Sequence, residues 1–186
     1  GHEPVNMVLL RGLAKRPNWP SMPEMCKLRA AAVAHYPMYR GLAKLVGMEA
    51  LTVGPKLEDS IATLRENWNR FDYFFVHYKY TDTAGEDGDY QRKVEKLTEV
   101  DDAIEGITAL KPDVLMITGD HSTPATMAGH SWHPVPFMLT SRWGRGDVCE
   151  SFNEVDFLRG SLGVFPAKEA MPLAMAHAGR FRKYGA

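Results

Sequence analysis

Asp120 and His121 stand side by side just past a short apolar run, Val114-Leu-Met-Ile117, which lies between Pro112 and Gly119. A carboxylate oxygen and an imidazole nitrogen aimed into one crevice form a donor pair that divalent metal ions accept. The pair alone is weak evidence, but it has company. Downstream, Gly129-His-Ser-Trp-His-Pro-Val-Pro136 puts His130 and His133 in a loop that leads into Phe137-Met-Leu139. Upstream, the strand candidate Phe71 to Lys79 runs into Thr81-Asp-Thr-Ala-Gly-Glu-Asp-Gly-Asp89, which holds Asp82 and Glu86. Three successive strand ends or strand entries therefore carry Asp, Glu or His. Open α/β sheets place their ligand sites beyond the carboxyl ends of the strands.

These side chains need a frame. Val114 to Ile117 reads as a strand covered on both faces. Before it, the pattern predicts strands over Val5 to Leu10, Lys27 to Ala34, Ala50 to Val53 and Phe71 to Lys79. Between the strands lie a helix over Tyr39 to Met48 and an amphipathic helix over Leu57 to Arg70, with Leu57, Ile61, Leu64 and Trp68 at helical spacing. A longer helix follows from about Asp89 to Leu110, on the apolar series Val94, Leu97, Val100, Ile104 and Ile107. Lys15 to Pro23 reads as an irregular connector, Phe152 to Leu158 as a helical turn or an edge element, and Met171 to Tyr184 as a C-terminal helix. Alternation of strands and helices predicts an α/β fold with a mainly parallel sheet flanked by helices.

Composition narrows the partners. With 186 residues, 45% of them hydrophobic and 24% charged, the chain can bury a core of its own. A formal net charge of -1 leaves no electrostatic footprint for nucleic acid or an anionic membrane, so a small molecule is the expected ligand. Cys26 and Cys149 make neither a disulfide framework nor a metal-ligand spacing, which fits a reducing cytoplasm. No signal peptide and no apolar run of membrane-spanning length is present.

The stretches TGDHSTP at 118–124, GHSWHPVP at 129–136 and VHYKYTDTAGEDGD at 76–89 occur in an order that resembles the cofactor-independent phosphoglycerate mutases common in archaea and some bacteria. Those enzymes belong to the alkaline phosphatase superfamily, and the likeness runs through essentially the whole chain. It implies a partial alkaline-phosphatase-like domain with two divalent metal ions, manganese or magnesium, and a reaction that interconverts 3-phosphoglycerate and 2-phosphoglycerate through a phosphoenzyme. Carried over position by position, Asp120 and His121 match the pair on the metal that activates the nucleophile. Asp82 and His130 match ligands of the other metal, and Arg11 matches a substrate-binding arginine. His133, Lys79 and Ser122 fall where hydrogen-bonding support of the site is expected, and a structural hydrogen bond is expected for His77.

Two departures stand out. The family pattern has His four positions after the Asp, where this chain has Glu86; a carboxylate there favours a harder ion, with an exposed Glu86 and the neighbouring Asp87 or Asp89 as competing candidates. The resemblance also implies an upstream segment bearing a further metal-binding Asp and the nucleophile. On that basis residues 1–25 are expected to be a remnant of an inserted phosphotransferase domain with its linker, and 26–186 the C-terminal part of the metal-binding domain. The chain alone is then expected to be inactive. A metal-dependent phosphatase, another phosphomutase of the superfamily, and a non-catalytic binding domain derived from it remain as alternatives.

Overall fold

The computed structural model describes residues 7–10 and 12–181. Its elements in chain order are α1 (Met22–Cys26), β1 (Ala30–Ala34), α2 (Pro37–Leu45), β2 (Glu49–Ala50), α3 (Leu57–Asn67), β3 (Tyr73–His77), α4 (Tyr80–Glu86), α5 (Tyr90–Thr108), β4 (Val114–Thr118), β5 (Phe137–Ser141), α6 (Glu154–Phe157) and α7 (Ala170–His177). No helix among the described residues is long and apolar enough to cross a membrane.

Strand β1 is built almost wholly of alanine, and this composition suits its place at the centre of a three-stranded parallel sheet of order β2-β1-β3. Small side chains let helices α2 and α3 pack close to the strand. All five of its residues are at most 4% exposed. Ala31, Val33 and Leu51 form the buried cluster, with Val53, Phe71, Phe74 and Val76 packed against it. The register pairs Ala30 with Tyr73 and Ala34 with His77, so β1 and β3 end level with one another. At the opposite end the strands are clamped by Asp72, whose carboxylate accepts from the Arg29 backbone N–H at 2.9 Å and from its guanidinium at 3.0 and 3.2 Å.

Helix α3 forms as its periodicity predicts, with Ile61 and Leu64 turned inward, and closes in a 3-10 turn over Trp68–Arg70. Helix α5 also forms, but its apolar stripe is only partly covered: Val94 is 39% and Leu97 50% exposed. Helix α7 stops at His177, short of Tyr184. Gly179 adopts φ +67°, and the N–H groups of Ala178, Gly179 and Arg180 turn back onto the last carbonyls. Residues 182–184 of the expected helix lie outside the described residues.

Several other expectations are corrected. Met7 to Leu10 form no strand and are 71 to 80% exposed; the rest of that prediction, residues 5 and 6, lies outside the described residues. Part of the predicted irregular connector is the short helix α1, nucleated by a capping box between Ser21 and Glu24. Residues 80–86, read from sequence only as the continuation of a strand end, are helix α4. The largest difference concerns β4, which pairs with β5 in an antiparallel two-stranded sheet and has no partner in the parallel one among the described residues. Its Val114 to Ile117 are half-buried instead of covered on both faces. The physical cause is the intervening loop, residues 119–136, which folds back on itself through an antiparallel bridge between Ser122 and Ser131 and returns the chain beside β4.

Candidate metal centre

Three chain segments deliver the site. Strand β3 hands the chain to α4, whose first turn carries Asp82, where the positive end of the helix dipole favours a carboxylate. Glu86 lies four positions on, hence on the same helix face. The second and third segments are the two arms of the loop after β4. The Ser131 N–H donates to the Ser122 carbonyl at 2.9 Å, and this bridge sets His121 and His130 side by side with ring centroids 3.9 Å apart.

The result is a cluster in which one ligand atom each from Asp82, His121 and His130 lie within 4.8 Å of one another. Asp82 Oδ1 is 3.7 Å from His121 Nδ1 and 3.8 Å from His130 Nε2. Glu86 Oε1 approaches His130 Nε2 to 3.4 Å. One carboxylate oxygen and two imidazole nitrogens, with a second carboxylate adjoining, are a mixed donor set that fits a divalent transition ion or magnesium.

Asp82 is held from two sides. The Lys79 ammonium donates to Oδ2 and the Thr123 hydroxyl donates to Oδ1 at 2.5 Å. Burial on its own would raise the Asp82 carboxyl, but the hydrogen bonds from Lys79 and Thr123 and the charge of Lys79 outweigh it and keep the group ionised below the usual carboxylate range. Lys79 is raised in turn, chiefly by its hydrogen bond to Asp82, and also lies 3.6 Å from Glu86 Oε2. The site therefore brings its own cation to offset part of its negative charge.

Thr123, only 4% exposed, also touches His121 Nδ1 at 2.9 Å. A hydroxyl has a single proton, and an ionised carboxylate can only accept. Since that proton goes to Asp82, the Thr123 oxygen accepts from Nδ1–H of His121, which leaves the lone pair on Nε2. Lys93 reaches in from α5 and donates to the Thr123 carbonyl at 2.5 Å, which ties this turn to the helix.

Asp120 stands beside the cluster. Its Oδ1 accepts from the His121 backbone N–H at 3.1 Å and lies 3.8 Å from His121 Nε2, while Oδ2 accepts from the Tyr39 hydroxyl. Burial would raise this carboxyl too; the Tyr39 hydrogen bond and those from the backbone bring it below its ordinary value. The Tyr39 phenol is pushed well above the usual tyrosine range by burial and by Asp120, so it is a donor throughout the neutral range.

The remaining expected residues sit further out. Ser122 donates to the His133 carbonyl at 3.2 Å, and His133 itself is exposed, its Nδ1 2.9 Å from Ser131 Oγ and its ring stacked on Trp132. Both brace the loop and neither touches a member of the cluster in the contacts described. Arg11 lies outside the described residues. His77, expected to make a structural hydrogen bond, stacks on Tyr39 at 3.7 Å, and its buried Nδ1 has no hydrogen-bond partner among the described residues. A cavity of about 370 Å³ opens beside the cluster and shares Lys79 and Glu86 with it, together with His77, Tyr36 and Lys56.

Sequence reading misses two residues of the site, Tyr39 and Lys93. Ser122 and Thr123 both follow the Asp-His pair, and nothing in the sequence says that Thr123 is the hydroxyl that turns inward. Tyr39 and Lys93 come from helices far along the chain, with no local signal.

Comparison with known proteins gives a consistent picture. The model of the Metalloenzyme superfamily matches residues 3–177. A probable 2,3-bisphosphoglycerate-independent phosphoglycerate mutase of Thermotoga neapolitana is 55% identical over 182 residues, covering 98% of this chain and 45% of that protein. A solved structure from Pyrococcus horikoshii superposes with a TM-score of 0.87 at 30% identity, over 95% of this chain and 57% of the other. The fold is shared as well with the cofactor-independent phosphoglycerate mutase of Thermoplasma acidophilum, at a TM-score of 0.66 and 21% identity, covering 88% of this chain and 40% of that one. The chain thus spans a little under half the length of the curated relative.

Proposed function

The chain belongs to the Metalloenzyme superfamily, and from that premise we propose that it forms the metal-binding part of a cofactor-independent phosphoglycerate mutase that interconverts 3-phosphoglycerate and 2-phosphoglycerate. The observation that carries this reading is the convergence of Asp82, His121 and His130 within 4.8 Å. The likeness to the Thermotoga protein supplies the substrate class.

In this reading Asp82, Glu86, Asp120, His121 and His130 hold two divalent ions, manganese or magnesium. When bound, such ions polarise phosphoryl oxygens and lower the pKa of a hydroxyl nucleophile. The protein groups set up that chemistry. Lys79 and Thr123 keep Asp82 ionised and fix its orientation. Thr123 lies 2.9 Å from His121 Nδ1; accepting that proton, it would leave Nε2 as the nitrogen free to hold an ion. Arg11 reads the phosphate or carboxylate of the glycerate, which a guanidinium grips with two parallel hydrogen bonds. Ser122 and His133 brace the loop that presents His121 and His130. The nucleophile comes from the part of the longer protein that this chain does not span, with residues 1–25 belonging to an inserted domain and 26–186 to the metal-binding one. The setting is glycolysis or gluconeogenesis in a reducing cytoplasm.

The test has two arms. Titration of the chain with Mn²⁺, followed by the electron paramagnetic resonance of the free ion, should show weak binding that Asp82→Ala and His121→Ala abolish. An assay with 3-phosphoglycerate coupled to enolase should show no turnover by the chain alone and turnover once the remainder of the protein is supplied. Metal binding indifferent to Asp82 and His121 would sink the reading.

A further inference from the structure

We infer that Tyr39 is a positioning residue of the metal centre, acting through Asp120; the inference rests on the reading of Asp120 as a ligand. Tyr39 is 81 positions from its partner and enters from a different element, helix α2. Its hydroxyl donates to Asp120 Oδ2. The other oxygen, Oδ1, is turned to the His121 side, where it meets the His121 N–H at 3.1 Å and lies 3.8 Å from His121 Nε2. A carboxylate free to rotate about its last bond would exchange the two oxygens and lose part of its orientation. Occupation of Oδ2 by the phenol stops that rotation and leaves Oδ1 as the oxygen presented beside the imidazole. Hydrogen bonds to the outer oxygen of a coordinating carboxylate tune ligands in this way.

The phenol is itself fixed. Its ring stacks on His77 with centroids 3.7 Å apart and planes 24° apart, and it packs near Phe75 at 6.2 Å. Both neighbours lie on β3, the strand that leads into α4 and Asp82. Pro37, at the start of α2, sets the helix going two residues before the tyrosine. Tyr39 therefore links the frame that carries Asp82 to the loop that carries Asp120, and so holds the two carboxylates in a fixed relation.

Tyr39→Phe keeps the ring and removes only the hydroxyl. In a Mn²⁺ titration of the 186-residue chain, read by electron paramagnetic resonance, the variant should bind about tenfold more weakly, the loss usual for a hydrogen-bonding partner of a ligand. Asp120→Ala should weaken binding as well, and Tyr39→Phe added to Asp120→Ala should cost nothing more, because the hydroxyl then has no carboxylate to hold. A loss through general packing would appear equally in both backgrounds and would overturn the inference, as would unchanged affinity of Tyr39→Phe. If Asp120→Ala itself binds Mn²⁺ like the parent, the assignment of Asp120 as a ligand falls and Tyr39 falls with it. Weakened binding in Asp120→Ala beside normal binding in Tyr39→Phe removes Tyr39 alone.

Discussion

The Thr123 hydroxyl donates to Asp82 Oδ1 at 2.5 Å across a separation of 41 positions, and so joins the helix after β3 to the loop after β4. The same oxygen lies 2.9 Å from His121 Nδ1 and, with its own proton on Asp82, can only accept there. One buried hydroxyl thus orients two members of the cluster.

Thr123→Val, which keeps the shape and removes the hydroxyl, should weaken Mn²⁺ binding by about tenfold, in the range seen when the partner of a metal ligand is lost. Thr123→Ser should bind as the parent does. Isothermal titration calorimetry of the three proteins decides it, and equal binding by the valine variant would show that the hydroxyl orients nothing of consequence.

Gly85 is where α4 touches the Thr123 turn. A Cβ built there would lie 2.3 Å from the Thr123 carbonyl oxygen and 3.0 Å from Lys93 Nζ, so helix and loop cannot keep this spacing with any other residue. Gly85→Ala should destabilise the chain by about 1–3 kcal/mol, the usual cost of overpacking, despite the better helix propensity of alanine. It should also weaken metal binding, because Asp82 rides on the displaced helix. Urea denaturation and a Mn²⁺ titration check both effects. A variant as stable as the parent would mean that the contact relaxes freely.

Glu86 offers an oxygen 3.4 Å from His130 Nε2. Glu86→His should keep the cluster competent while replacing a hard donor by a borderline one, which shifts preference toward zinc and away from magnesium. Competition between Zn²⁺ and Mg²⁺, read by displacement of a chromogenic chelator, should show the ratio of affinities rising. An unchanged ratio would place Glu86 outside the coordination sphere.

Asp72 ties the starts of β1 and β3 to Arg29 and also accepts from Arg180 at 3.3 Å. Hydrogen bonds from Arg29 hold its carboxyl far below the ordinary value. Because the folded pKa lies below the unfolded value of about 3.9, the ionised form is favoured in the fold. Its stabilisation is complete well above that value and fades as pH falls below about 4 toward the folded pKa. Asp72→Asn should therefore melt at a lower temperature than the parent at pH 7, and the two curves should converge in strong acid. Melting followed by circular dichroism at both pH values gives the answer; a gap that persists undiminished in acid would assign the loss to packing.

Most of the frame, and the acid- and histidine-bearing stretches that meet in the cluster, were legible in the sequence, because both depend on short-range pattern. Ile61 and Leu64 recur at helical spacing and are buried on α3. Val114 to Ile117 is an apolar run closed by Pro112 and Gly119, and it forms β4. The Asp120-His121 pair and the acidic and histidine-bearing loops stand out by residue type, and the family resemblance singles out Asp82 and His130 within them. Periodicity, however, reports that a face is buried without saying against what. It could not show that β4 turns to an antiparallel partner, since that follows from the bridge between Ser122 and Ser131. Nor could it show that residues 80–86 coil into a helix against Thr123, which depends on the missing side chain of Gly85. The orientation of the two aspartates is a tertiary matter as well. Thr123 and Tyr39 act on carboxylates 41 and 81 positions away, and hydrogen bonds across such separations exist only after the backbone has brought their ends together.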